Sequence, residues 1–297
     1  MSLRLLNFVT TATIVLFLFG FAIRVYFAAT QPFWLDEQFS LFFSQEYVFS
    51  KLLFFFSNDV HPGLYYSVVK VISVFSPSNF VVRLVTSVLP EVIGFGVLAK
   101  TLILINTHFF KISKREVKTT NTYLLFIFTL LYFLNPFIID QSWQIRMYGI
   151  VLLLSSAALY FFTRYIKDKK IKNLVYVFII CITGMAASYT FFLFTFSLVS
   201  LLIVWVNTKI SKKIFLFMAL LTFLVGYFFL LSGYSGRGQI EYANWISHPN
   251  IKNIPSTYTT LFGFGRNLHA TVTNNMYQLF LDYSILFSSL YLFFYIL

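Results

Sequence analysis

The predicted fold class is all-α and membrane-integral: a single multi-span helical bundle over residues 1–297, with about eight transmembrane helices. Three observations predict it. Residues of hydrophobic type make up 59% and charged residues only 11%, with a mean hydropathy of +0.79, whereas soluble domains carry about 25% charged residues. Apolar runs recur along the chain at lengths that span about 30 Å of hydrocarbon at 1.5 Å per residue. The net charge of +12 is gathered into short basic clusters between those runs. In a soluble protein that excess would point to nucleic acid. Here the retention of Lys and Arg on the cytoplasmic face accounts for it, which leaves membrane lipid rather than nucleic acid as the expected partner.

The elements follow in order. Residues 5–28 form the first apolar run, too long and uninterrupted for a cleaved leader, and are expected to stay as a helix. An outer loop is expected over 29–79. Within it the apolar run 62–76 is short and carries Lys70, which fits an interfacial or re-entrant segment better than a span. Spans are expected at 80–105, 121–139 and 149–163. The run 174–206 is too long for one helix and divides into two at Ser188-Tyr189-Thr190. A span at 214–231, an outer loop at 232–275 and a last apolar run at 277–297 complete the chain. A further outer segment is 140–148. No soluble domain or internal repeat interrupts this pattern, and the single Cys181 excludes a disulfide framework.

Charge fixes the expected orientation. If 62–76 does not cross and 174–206 crosses twice, the clusters KISKREVK (111–118), RYIKDKKIK (164–172) and NTKISKK (207–213) share one side with Arg4 and Lys100. That side then holds 14 of the 22 Lys and Arg and two of the ten acids, leaving eight of each elsewhere. The positive-inside rule makes it cytoplasmic, so the N-terminus is inside and the polar loops face out.

The outward elements carry the chemistry. The stretch 31–66 holds WLDEQ (34–38) and NDVHPGLYY (58–66), with four of the ten acids: Asp36, Glu37, Glu46 and Asp59. Asp36 and Glu37 can supply a general base, or carboxylates that hold a metal or sugar hydroxyls; the plainer alternative is a pair of solvated loop acids. Arg24, Arg83 and Arg146 sit at outer ends of three different helices. They suit either headgroup snorkelling or a clamp for an anionic group such as phosphate, whose oxygens match the guanidinium fork. His61-Pro62 reads first as a helix start. A divalent metal is the other reading, with Asp36, His61, His248 and His269 as candidate ligands. Glu91 lies mid-span, where an acid is either functional or paired with Arg83. No Gly-rich phosphate loop is present, so no nucleotide cofactor is expected.

WLDE soon after Arg24-Val25-Tyr26, then HPGLYY, then Arg83-Leu84 opening a span, then SWQIRMY (142–148), resembles the bacterial members of the protein O-mannosyltransferase family, glycosyltransferase family 39. These belong to the GT-C superfamily of membrane glycosyltransferases, with the lipid A aminoarabinose transferases. The resemblance covers roughly residues 20–200. It implies inverting transfer of a sugar from a polyprenyl-phosphate donor to a glycan, lipid or protein acceptor at the outer face of the cell membrane. It implies Asp36 as catalytic base with Glu37 beside it, and Arg24, Arg83 and Arg146 at the donor phosphate. His61, Tyr65, Gln144, Tyr148 and Trp245 are implied as substrate-binding or structural. Four positions depart from the family pattern: Gly63 replaces a proline, Trp143-Gln144 stands where Gln-Glu is usual, and Phe191 stands where a histidine is common. A lipid-linked sugar flippase or transporter, and an inactive accessory relative of the enzyme, are the alternatives.

Overall fold

A computed structural model describes residues 3–46, 62–76, 78–109, 114–205 and 212–224, with positions 48, 52 and 227. The described chain is helical, and no strand occurs among those residues. The helices are α1 (Leu3–Thr30), α2 (Leu35–Glu46), α3 (Gly63–Phe75), α4 (Asn79–Arg83), α5 (Leu89–Phe109), α6 (Lys114–Phe133), α7 (Pro136–Ser142), α8 (Tyr148–Asp168), α9 (Ile171–Ala187) and α10 (Phe191–Trp205), followed by α11 at 212–224. A single π-helical turn, Leu84–Val88, joins α4 to α5.

Among the described residues three helices are long and apolar enough to cross a membrane: Arg4–Thr30, Asn79–His108 and Tyr148–Asp168. A fourth is reached if Glu116–Phe133 and Pro136–Ser142, bent by 66° from one another, count as one span. The span expected over 121–139 falls on this bent pair. Pro136 has no N–H to give the preceding turn, and Asn135 starts a new helix instead. Its side-chain oxygen accepts from the N–H groups of Phe137 and Ile138 at 2.9 and 3.2 Å, as an N-cap should. The division at 188–190 is found where the sequence places it, between α9 and α10. With 17 and 15 residues, these two helices cover about 26 and 23 Å, short of the hydrocarbon thickness. The expected final span at 277–297 and the outer loop at 232–275 lie outside the described residues.

The chain divides into two compact units. The first contains residues 3–32 and 118–143. Its notable group is Arg24, fully buried on α1. The guanidinium donates to the carbonyls of Gly20, Phe133 and Tyr132 at 3.0, 3.3 and 3.5 Å and lies over the Phe133 ring at 4.8 Å. The carbonyls of Tyr132 and Phe133 end α6 at the break, where no following turn can satisfy them. Arg24 fills that need, so its position is explained by the break it seals.

The second unit takes in the described residues of 33–117 and 144–227. Here α8 packs along α5, α9 packs on α8, and α10 returns against α9. A Cβ at Gly94 would lie 3.0 Å from the Leu153 Cα, so the absence of a side chain sets the close approach of α5 to α8, the usual device between membrane helices. An apolar core of Leu174, Phe178, Cys181, Met185, Phe191, Leu198 and Leu202 joins α9 to α10.

The stretch expected as a loop after residue 29 is in fact helical over α2. Its faces are reversed from those of a water-soluble helix. Glu37, Ser40 and Ser44 are buried, while Leu35, Phe39 and Phe42 are exposed. α3 packs against it, and Lys70 of α3 donates to the carbonyls of Ser44 and Gln45 at 2.9 and 3.3 Å. A cation at those last carbonyls opposes the negative end of the helix dipole.

Candidate active site

The site begins with the start of α2. Trp34 precedes the first turn, and Glu37 reaches back so that its Oε2 accepts the Trp34 N–H at 3.0 Å. This is the carboxylate half of a capping box. It turns the Glu37 side chain inward and leaves Asp36, one residue earlier, on a different side of the helix.

Glu37 is fully buried. Arg83 Nε donates to its Oε1 at 2.9 Å, and Arg83 Nη2 to its Oε2 at 2.7 Å. The Arg83 guanidinium also lies over the Phe33 ring at 4.7 Å. A fourth donor is the backbone N–H of Ile145, at 2.8 Å from Oε1. A carboxylate offers about four acceptor sites, and these four bonds occupy them. In this structure all four acceptor sites of Glu37 are thus taken by the protein's own N–H groups. Arg83, expected at a donor phosphate, is 3% exposed and gives its Nε and Nη2 to Glu37.

Asp36 and Arg146 are placed differently. The Asp36 side chain is 46% exposed and that of Arg146 12%, with Nη2 and Oδ2 3.4 Å apart. That separation makes an ion pair but exceeds an ordinary N–H···O hydrogen bond. Burial by itself lowers the Arg146 pKa, but the Asp36 carboxylate and the Tyr148 and Tyr66 phenols outweigh it and the net direction is up. Arg146 thus holds its positive charge beside a carboxylate open to solvent on one side.

The segment carrying Arg146 is fixed by its backbone. Ser87, in the π-helical turn, donates its hydroxyl to the Gln144 carbonyl, and the Arg146 N–H donates to the same carbonyl at 2.7 Å. Gly149 lets the chain pass over the Ser87 carbonyl, where a Cβ would collide. Gln144 is buried, and its visible contribution is this carbonyl. Tyr148, more exposed, opens α8 beside Arg146. Tyr65 is buried, near Thr86 and Ser87, without a hydrogen bond of good geometry at its hydroxyl. Burial raises its pKa above the usual phenol value, against the pull of the Thr86 and Ser87 hydroxyls and of Arg146. A role in packing fits it.

Each of the three arginines has partners within its own unit. Arg146 faces Asp36, Arg83 is held by Glu37, and Arg24 seals a helix break in the first unit. His61, Trp245, His248 and His269 lie outside the described residues. Among the described residues no group of three or more His, Cys, Asp or Glu could hold a metal ion. Sequence reasoning missed Ser87, the Ile145 N–H and the Trp34 N–H. The last two are backbone groups with no signature in the residue type, and Ser87 carries no motif.

Compared with protein-family models, curated proteins and solved structures, the chain matches none.

Proposed function

We propose that the chain is a GT-C-type membrane glycosyltransferase of about eight spans, moving a sugar from a polyprenyl-phosphate donor to an acceptor hydroxyl at the outer face of the cell membrane. One observation supports it above others: Asp36 and Arg146 form an accessible acid–base pair, held from behind by the buried Glu37–Arg83 pair. In this reading Asp36 removes the proton from the acceptor hydroxyl as the oxygen attacks the anomeric carbon. The new glycosidic bond forms as the bond to the phosphate oxygen breaks, and the electron pair leaves with the phosphate. Arg146 stabilises the charge that the phosphate gains. The lipid tail of the donor holds its phosphate near the bilayer surface, where an outward-facing α2 would present Asp36.

The test is sugar transfer and donor binding in liposomes. Arg146→Ala is expected to weaken binding of a polyprenyl-phosphate donor at least tenfold. Arg146→Lys should recover only part, because it restores the charge without the fork. Donor binding that is indifferent to both substitutions would remove Arg146 from the site. Orientation is checked separately on a Cys181→Ser background. A cysteine at Gln45, which is exposed, should react with an impermeant reagent from outside. One at Lys170, also exposed, should react only from inside. The reverse pattern would place the site in the cytoplasm and end the outer-face reading.

A further inference from the structure

The peptide unit between Gln144 and Ile145 is held at both ends. Its carbonyl accepts from the Ser87 hydroxyl, and its N–H donates to Glu37 at 2.8 Å. The Arg146 N–H folds back onto the same carbonyl at 2.7 Å, a tight three-residue turn that restricts φ and ψ of Ile145. Ile145 is itself fully buried. With the peptide plane and the following dihedrals fixed, the Arg146 Cα has little freedom. Glu37 also sits one residue from Asp36, so the bond from Ile145 to Glu37 ties together the two segments that present the Asp36–Arg146 pair.

Ser87 reaches this carbonyl from within the π-helical turn. The turn Leu84–Val88 closes with the Leu89 N–H on the Leu84 carbonyl, one residue wider than an α-helical turn. Such single turns in α-helices are frequent at functional sites. Arg83 and Ser87 lie at either end of the widened segment. One holds Glu37 and the other holds Gln144, and both are buried. Thr86 is occupied differently, donating to Val82 within its own helix at 2.8 Å.

We infer that Ser87 is a positioning residue: from the π-helical turn it fixes the Gln144–Ile145 peptide and so sets where Arg146 stands against Asp36 and the donor phosphate. The donor part of this statement rests on the glycosyltransferase reading; the positioning part does not.

Ser87→Ala removes the hydroxyl with little change in volume. Hydrogen exchange followed by mass spectrometry should show faster exchange over 144–148 in this variant, with α8 beyond its first turn unchanged. Binding of polyprenyl phosphate in nanodiscs should weaken about 2- to 13-fold, the range one hydrogen bond is worth. On an Arg146→Ala background the same substitution should cost nothing further, because Ser87 acts through Arg146. Unchanged exchange over 144–148 overturns the inference whatever the donor does. A full additional loss on the Arg146→Ala background also overturns it, since Ser87 would then act elsewhere. Wild-type protein that binds no polyprenyl phosphate overturns the donor reading instead, and the exchange result alone then decides whether Ser87 positions Arg146.

Discussion

Asp36→Asn is expected to lower sugar transfer by about 10²–10⁴-fold, the usual contribution of a general base, while leaving the protein folded. The amide keeps the shape of the carboxylate but cannot take the acceptor proton. Because the Asp36 side chain is 46% exposed, its loss should leave the thermal midpoint close to wild type. A second sign follows from the geometry. Asp36 is the anion beside Arg146 in the absence of donor, so removing its charge frees Arg146 for phosphate. Donor binding by Asp36→Asn should therefore be equal to wild type or tighter. Transfer assays with a lipid-linked sugar, run beside donor binding in the same liposomes, read both effects. Transfer at the wild-type rate would show that Asp36 is not the base. Donor binding lost together with transfer would show that Asp36 supports the site rather than acting in it.

Glu37→Ala is expected to act on stability. It leaves the Arg83 guanidinium buried without its carboxylate and strips the Ile145 and Trp34 N–H groups of their acceptor. Breaking a buried pair from one side costs about 3–5 kcal/mol. Thermal unfolding in detergent should show a large fall in midpoint, and yield should fall with it. Pairing the substitution with Arg83→Met should restore part of the loss, since an apolar replacement of both members avoids the stranded charge. A Glu37→Ala protein that melts with the wild type would mean that the pair does not hold α2 to the rest of its unit. The neighbouring acids are thus expected to differ in readout, Asp36 in rate and Glu37 in melting temperature.

Much of this architecture was legible in the sequence because hydropathy and helix breakers report it directly. The long first helix, the short apolar segment at α3 and the break at 188–190 come from run length and local polarity. The bend at Asn135-Pro136 was overlooked, although Pro136 signals it, because the apolar run continues through it. The site was legible only in its residue types. Asp36, Glu37, Arg83 and Arg146 were all named, but the pairing was not, because Glu37 and Arg83 lie 46 residues apart. Nothing in composition separates an arginine that binds a ligand from one that holds a carboxylate or seals a helix end. The backbone groups at Trp34 and Ile145 are silent in any sequence pattern. The helical state of α2 was hidden because its polar residues are the buried ones.

That reversed patterning bears on how a reaction partner would arrive. In a bilayer, the stripe Leu35, Phe39 and Phe42 belongs among acyl chains, and Asp36 sits one residue away on a helix only about 10–12 Å across with its side chains. In the proposed glycosyltransferase reading, the carboxylate would then lie within a helix diameter of the hydrocarbon boundary. A lipid-linked reactant would reach it by lateral diffusion, without leaving its leaflet. The encounter would be a search in two dimensions, governed by the mole fraction of that lipid in the membrane and insensitive to the volume of water around it.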